Sequence, residues 1–409
     1  MNMNEIHEYN NWTMFKKYAT GRNMIRIAYF IFNVFFVWKI IVAYNSVFLA
    51  GMVPVLSLLG YLLILIPEGH ILDRFNRGSV FRISAALLAL TYIILFFYQS
   101  LIAIYTVALI SSVLSSINSD AFNTIMKEIV SNEKLQSAIS LSQGTNALSE
   151  LAGIILGGIL LYFPLSYLSI ILFALPVICI ITGTGKTMNR AGTADPYGFK
   201  GAMKIVVSIM PFLLLTLLLN GLFISLDVFG SGLIHIILHG SPMDYSLFVG
   251  AFPAGVIIGS IFSEKISGHL SKTRFISSLL APLGLILLVI SLSKYLYVDI
   301  IMAVLLGVTV IFVNIGFQTI FMKAIPDSVM GRVNSIGTIF SLGGSPLMAA
   351  IFSILSNYFY FPYIMSVAAL ISIAVAIPSN SIIKSMPDRI SKIVGDMESN
   401  QNIPQMEMA

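Results

Sequence analysis

The sequence predicts an all-α membrane protein with twelve transmembrane helices in two six-helix bundles. Three observations carry that prediction: a scarcity of charge, a succession of apolar runs of helical length, and basic residues confined to alternate loops. The 409 residues are 57% hydrophobic and 10% charged, with a mean hydropathy of +0.92. A soluble domain carries about 25% charged residues, so most of this surface is not built to face water. An apolar stretch of about 20 residues spans a bilayer core as a helix, and about twelve such stretches fit the chain. Segments such as Ile83–Tyr98 and Phe275–Leu292 stay apolar throughout, without the alternation of β-barrel strands. Helices satisfy their own backbone polar groups inside lipid.

The first bundle is expected over 24–184 and the second over 205–383. Span one, 24–43, follows Lys16, Lys17, Arg22 and Arg26. Span two, 47–70, runs into a loop and span-three start that carry Arg74, Arg77 and Arg82, and span three covers 79–99. Span four, 101–125, is separated from span five, 136–160, by Lys127 and Lys134. Span six, 164–184, precedes Lys186 and Arg190. The linker 185–204 holds Asp195-Pro196 and Gly198, which suit a turn-rich connection. Span seven, 205–238, is the longest, with a kink expected at Gly230, Ser231 and Gly232. Spans eight to twelve fall at 244–263, 275–293, 297–322, 333–356 and 361–383, with Lys265, Lys272, Arg274, Lys323 and Arg332 in alternate loops and Lys384, Arg389 and Lys392 in the tail 384–409. Only Lys39 and Lys294 break the pattern. Positive residues mark the cytoplasmic face, so both termini, including the segment 1–23, are expected inside the cell, in the plasma membrane. Met1–Tyr9 lacks the basic start and short apolar core of a signal peptide, so span one is expected to remain a helix.

The halves echo one another. The end of span four, Phe122-Asn123-Thr124-Ile125-Met126-Lys127, is similar to the end of span ten, Gln318-Thr319-Ile320-Phe321-Met322-Lys323. The offset is near half the chain and both copies end on the same side, which indicates a parallel repeat.

Between spans two and three lies Gly69-His70-Ile71-Leu72-Asp73-Arg74-Phe75-Asn76-Arg77-Gly78. It resembles the Gly-x-x-x-Asp-Arg-x-x-Arg signature of the major facilitator superfamily, and with its flanks resembles the macrolide-efflux-like branch of drug:proton antiporters. The resemblance implies a gate motif of Gly69, Asp73, Arg74 and Arg77, with Asp120 on span four as an arginine partner; Gly69 is expected to allow close helix approach. It also implies that spans one, four, seven and ten line a central cavity. The second-half counterpart, Gly259 to Lys265, keeps the glycine and loses the Asp-Arg pair. Gly153, Gly157 and Gly158 on span five match the paired glycines of superfamily antiporters, without their proline.

Charges inside a bilayer are costly and mark functional suspects. Lys39 and Asp227 lie on spans one and seven. They are candidates for an inter-half ion pair, or for a proton-coupling acid tuned by a lysine; the plainer alternatives are a snorkelling lysine and a carboxylate capping the kinked helix. Glu150 has no basic neighbour in its own span, so it is a second proton candidate or a hydrogen-bonded structural group. Asn33, Asn118, Asn220, Asn314 and Gln318 sit on the four cavity spans. There they either contact a solute or join helices.

The expected function is secondary active transport of a small hydrophobic or amphipathic solute by alternating access, as proton-coupled drug efflux. A facilitator for metabolite uptake or exchange is the alternative, and a polytopic enzyme a weaker one. No Walker A sequence provides for ATP. The single cysteine, Cys179, excludes an internal disulfide framework. His235, His239 and Asp244 form only a weak metal pattern, so no metal or cofactor is expected. The expected partners are the solute, protons and the lipid bilayer, with no nucleic acid, and the chain is expected to be a monomer.

Overall fold

In a computed structural model the chain is described over residues 3–65, 67–183, 198–263, 265–270, 272–325 and 327–406. Among these residues every long element is a helix. The first six are α1 (Met3–Tyr44), α2 (Val47–Ile64), α3 (Arg77–Phe97), α4 (Leu101–Ile129), α5 (Asn132–Leu160) and α6 (Leu165–Thr182). The second six are α7 (Met210–Ile237), α8 (Pro242–Ser263), α9 (Thr273–Leu292), α10 (Leu296–Ala324), α11 (Asp327–Leu355) and α12 (Phe361–Met406). Ten of these contain described segments long and apolar enough to cross a membrane. α5 and part of α11 are more polar or shorter in their apolar run. Residues 184–197 of the linker lie outside the described residues. Its end forms a short helix, Gly198–Ser208, which buries Ile205 and Val206.

Helix starts follow local chemistry. Ser46, Asn76 and Ser100 precede α2, α3 and α4, and each side-chain oxygen accepts from a backbone N–H three residues on. These groups have no intrahelical partner. α7 departs from the expected shape. It breaks first at Ile224, between Met210–Phe223 and Ser225–Gly232. It then widens over Leu233–Ile237, where Leu238 N–H reaches back five residues to the Leu233 carbonyl. The kink expected at Gly230–Gly232 is therefore spread over two sites on either side of Asp227.

The same packing pairs occur in both halves. α2–α4, α3–α4, α3–α6 and α1–α5 are matched by α8–α10, α9–α10, α9–α12 and α7–α11. With no water to expel between apolar helices, close contact needs small residues. A Cβ on Gly153 would stand 2.8 Å from the Ile27 carbonyl of α1, so only glycine lets α5 approach α1 this closely. Gly69 does the opposite of what its motif implies: a Cβ there would meet nothing within 4 Å.

Among the described residues the main contacts between the halves gather at one end. α5 packs on α8 and α2 on α11, and the Ser225–Gly232 part of α7 reaches α1 and α2. Met210–Phe223 packs on α11 and α12 of its own half, as α4 and α10 pack on their own neighbours. The junction is aromatic. Trp38 stacks on Tyr245 with centroids 5.3 Å apart, His235 meets the Trp38 edge at 5.4 Å, and Phe229 stacks on Phe361 at 5.7 Å. These residues lie away from the end that carries Arg77, Lys127 and Lys265, hereafter the basic end. The bundles thus touch at the far end and part towards the basic end.

Candidate transport cavity

α1 carries a polar stripe through an apolar helix. Arg22, Arg26, Tyr29 and Asn33 are spaced by three or four residues, so they share one face, which apolar Val37 continues. Arg22 is buried at the basic end. Its guanidinium donates to Ser142 Oγ at 2.8 Å and the Ser142 carbonyl at 3.0 Å, and its Cζ lies 4.5 Å from the Phe122 ring centroid. One turn on, Arg26 Nη2 meets Glu150 Oε2 at 2.6 Å. Glu150 therefore does have a cation, supplied by α1 rather than by its own helix.

Beyond that pair, Tyr29, Asn33 and Val37 open onto a cavity of about 130 Å³ between the halves. Pro54 and Leu58 of α2, Ile224 and Asp227 of α7, and Tyr245 of α8 complete its wall. Asn33 donates to the Tyr29 carbonyl at 2.8 Å and accepts from Ser57 Oγ at 3.4 Å. Asp227 is exposed to this space. Among the described residues the ion pairs within 4 Å are Arg26–Glu150 and Arg77–Glu128, so Asp227 has no cation beside it.

The proposed Lys39–Asp227 pair is absent. Lys39 Nζ lies over Phe35, 5.9 Å from its centroid. Residue 39 follows cavity-lining Val37 by two positions, and at 100° per residue that turns it about 200° away from the cavity face.

A larger cavity of about 350 Å³ adjoins the first along α7. It is lined by Phe212, Thr216, Asn220 and Phe223 of α7 and by Asn314, Phe317, Gln318 and Phe321 of α10, with Gly337 of α11. Asn314 and Gln318 are exposed, four residues apart on one face. Asn220 spends its N–H on the Thr216 carbonyl at 3.0 Å, which leaves its side-chain oxygen free to accept. No charged residue lines this space. Asn118, expected to line the cavity, is fully buried within the first bundle and donates to the Phe81 carbonyl at 2.8 Å and Ser84 Oγ at 3.1 Å. It joins α4 to α3.

The basic end holds the motif. Arg77 at the start of α3 pairs with Glu128 of α4; Arg74 is exposed, and the side chain of Asp73 lies outside the described residues. The expected Asp120 partnership is not made. Asp120 lies eight residues deeper on α4 than Glu128, about 12 Å along the axis, and accepts from Asn123 at 3.3 Å. It faces Glu68, which is buried beyond the α2 span and accepts from Ser116 Oγ at 2.8 Å. Burial pushes the Glu68 carboxyl up to about 8, and hydrogen bonding with the Asp120 carboxyl adds to the shift. No group of three metal-ligating side chains occurs among the described residues. His235 packs on Trp38, and Asp244 accepts from Ser241 N–H at 2.7 Å and its hydroxyl at 2.8 Å.

Residues 19–349 match the family profile of the Major Facilitator Superfamily. The chain belongs to that superfamily. Solved structures of similar fold include a bacterial homologue of the human lysosomal transporter Spinster, inward-facing and unoccupied, at 12% identity and a TM-score of 0.73, covering 94% of this chain and 98% of that one. The nucleoside transporter NupG has 12% identity and a TM-score of 0.75, with 91% and 99% covered. A bacterial metal transporter has 15% identity and a TM-score of 0.65, with 90% and 98% covered. At such identities the likeness is one of fold. No protein with a curated description matches the sequence. As a member of this superfamily the chain is a multi-pass membrane transporter rather than an enzyme, and its substrate is a small molecule.

Sequence reasoning missed Arg26, Tyr29, Ser57 and Tyr245 as cavity neighbours and Glu128 as the arginine partner. The stripe on α1 was a usable signal, since polar residues at helical spacing in an apolar span face protein rather than lipid. Nothing in the sequence announced Tyr245, which reaches the cavity only because α8 crosses α1.

Proposed function

We propose that this facilitator exports a small hydrophobic or amphipathic solute in exchange for protons, as drug-efflux carriers do. One observation carries the reading: Asp227, the intramembrane carboxylate that lines the cavity, has no ion-pair partner among the described residues, whereas Glu150 is neutralised by Arg26. An unpaired carboxylate facing a cavity can hold a proton or a cationic group, one at a time, which is the minimal requirement for exchange. The basic end is cytoplasmic by the excess of Lys and Arg. The bundles part towards that end, so the described state receives solute from the cytoplasm. Closing it and parting the aromatic junction would present the solute to the other side. The chain works as a monomer in the plasma membrane, since both halves of the cavity come from one polypeptide.

Purified protein in vesicles with an imposed pH gradient tests this. Solute flux should follow the gradient, and Asp227→Asn should abolish that dependence while Glu150→Gln weakens transport mainly through stability. Flux in Asp227→Asn that still follows the gradient would remove Asp227 from the role. Wild-type flux indifferent to the gradient would leave facilitated exchange of a metabolite, which the uncharged α7–α10 wall could bind.

A further inference from the structure

A further concavity lies on the outside of the first bundle, away from the space between the halves. The short helix Pro67–Arg74, α3 and α4 border a groove of about 520 Å³. Ile71 and Phe75 close its basic end, Ile83 and Leu87 of α3 form one side, and Leu114 and Ile117 of α4 form the other. The residues that line it belong to the first bundle and none to α1, so it is separate from the transport cavity. Ile83 and Leu87 are 58% and 46% exposed, on a helix apolar enough to cross a membrane, so the groove opens towards lipid. Its polar atoms are few. Asn76 and Ser79 lie at the basic end, and Ser84 donates its hydroxyl to the Phe81 carbonyl at 3.0 Å.

The dimensions are those of one lipid chain. A cavity of about 150 Å³ holds the six carbons of benzene, so about 520 Å³ takes roughly twenty at the same density. Asn76 and Leu87 lie about 16 Å apart along α3. One leaflet supplies half of a hydrocarbon core of ~30 Å, about 15 Å.

Charge distinguishes the two ends of the groove. Arg74, the residue before Phe75, is exposed. Arg82 is exposed too, and its Nε donates to the Gly78 carbonyl at 3.3 Å, which holds the guanidinium at the level of the first turn of α3. Neither makes an ion pair among the described residues, whereas Arg77 beside them is spent on Glu128. No acidic residue is among those that line the groove. The end rich in Lys and Arg faces the cytoplasm, and lipids of that leaflet carry anionic headgroups that such cations attract.

We infer that this groove holds one anionic phospholipid of the cytoplasmic leaflet, with an acyl chain lying from Phe75 to Leu87 and the phosphate on the side of Arg74 and Arg82. The chain touches Ile71 and α3 at once, so the lipid fastens the Pro67–Arg74 helix to α3 and favours the described state. Ordinary surrounding lipid would fill the groove with no preferred headgroup and no fixed number.

The test uses the full chain in detergent, stripped of lipid, with palmitoyl-oleoyl phosphatidylglycerol or the phosphatidylcholine of the same chains added back. Native mass spectrometry counts the lipids bound. The first phosphatidylglycerol should bind about tenfold more tightly than the second, and about tenfold more tightly than phosphatidylcholine. Ile83→Trp and Leu87→Trp each fill the groove from an exposed position and should abolish the tight first step. Ile261→Trp, at an exposed position near the basic end of α8, should keep it. Arg74→Gln should weaken phosphatidylglycerol about fivefold and leave phosphatidylcholine unchanged. Equal binding of the two lipids by the wild type would overturn the anionic site. A tight first step that survives both groove-filling variants, or is lost equally in Ile261→Trp, would overturn its place in this groove. Lipid counting involves no solute flux, so the result stands apart from the proton-exchange proposal.

Discussion

Arg26 and Glu150 form a contact whose loss should be measurable in isolation. Replacing one member leaves the other partly buried and uncompensated, which costs more than the pair itself contributes. Glu150→Gln should lower unfolding stability in detergent by about 1–3 kcal/mol, and adding Arg26→Gln should cost little more. Strict additivity of the two losses would mean that the contact does not couple them. Glu68 makes a different prediction. Its folded carboxyl is raised to about 8 from 4.5, so the folded state binds a proton that the unfolded state has released. Stability should therefore fall as pH rises from 4.5 to about 8, and Glu68→Gln should flatten that fall in a thermal-unfolding series. A variant with the wild-type slope would assign the titration to another group. The sequence located the charged residues but paired several wrongly. Asp120, Glu128, Arg26 and Lys39 were all visible as charges, whereas their partners depend on helix rotation and depth, which composition does not set.

At the scale of elements, α5 and α7 shape the contact between the halves. A Cβ on Gly158 would collide with Ser246 of α8, so this glycine permits the contact that closes the far end. Gly158→Val should disfavour the described state and raise far-end labelling of an introduced cysteine near Val47. Labelling at the wild-type rate would show that α5 and α8 can separate slightly without opening the cavity. α7 shows why an element can be legible while its shape is not. Its apolar length was plain, but it breaks at Ile224, and the widened turn after Gly232 falls where Trp38 meets His235 and Phe361 meets Phe229. A glycine pair permits a bend without deciding where it falls.

For the whole molecule, transport requires the far-end junction to open. The position of a Cβ on Gly51 lies 3.6 Å from Ser353 Cβ, within the range of a disulfide. In a Cys179→Ser background, Gly51→Cys with Ser353→Cys should oxidise spontaneously, stop transport, and recover it on reduction. Undiminished flux in the cross-linked protein would show that α2 and α11 stay together through the cycle. The sequence by itself determined the class of this protein: helical length, charge scarcity, basic loops and one Gly-x-x-x-Asp-Arg-x-x-Arg motif suffice, because lipid imposes constraints on each segment separately. It also determined the two-fold repeat, which recurs as matched packing pairs in the two bundles. Only the tertiary structure decided which carboxylate is free. Glu150 and Asp227 look alike in sequence, and what separates them is that α1 brings Arg26 to one and turns Lys39 away from the other.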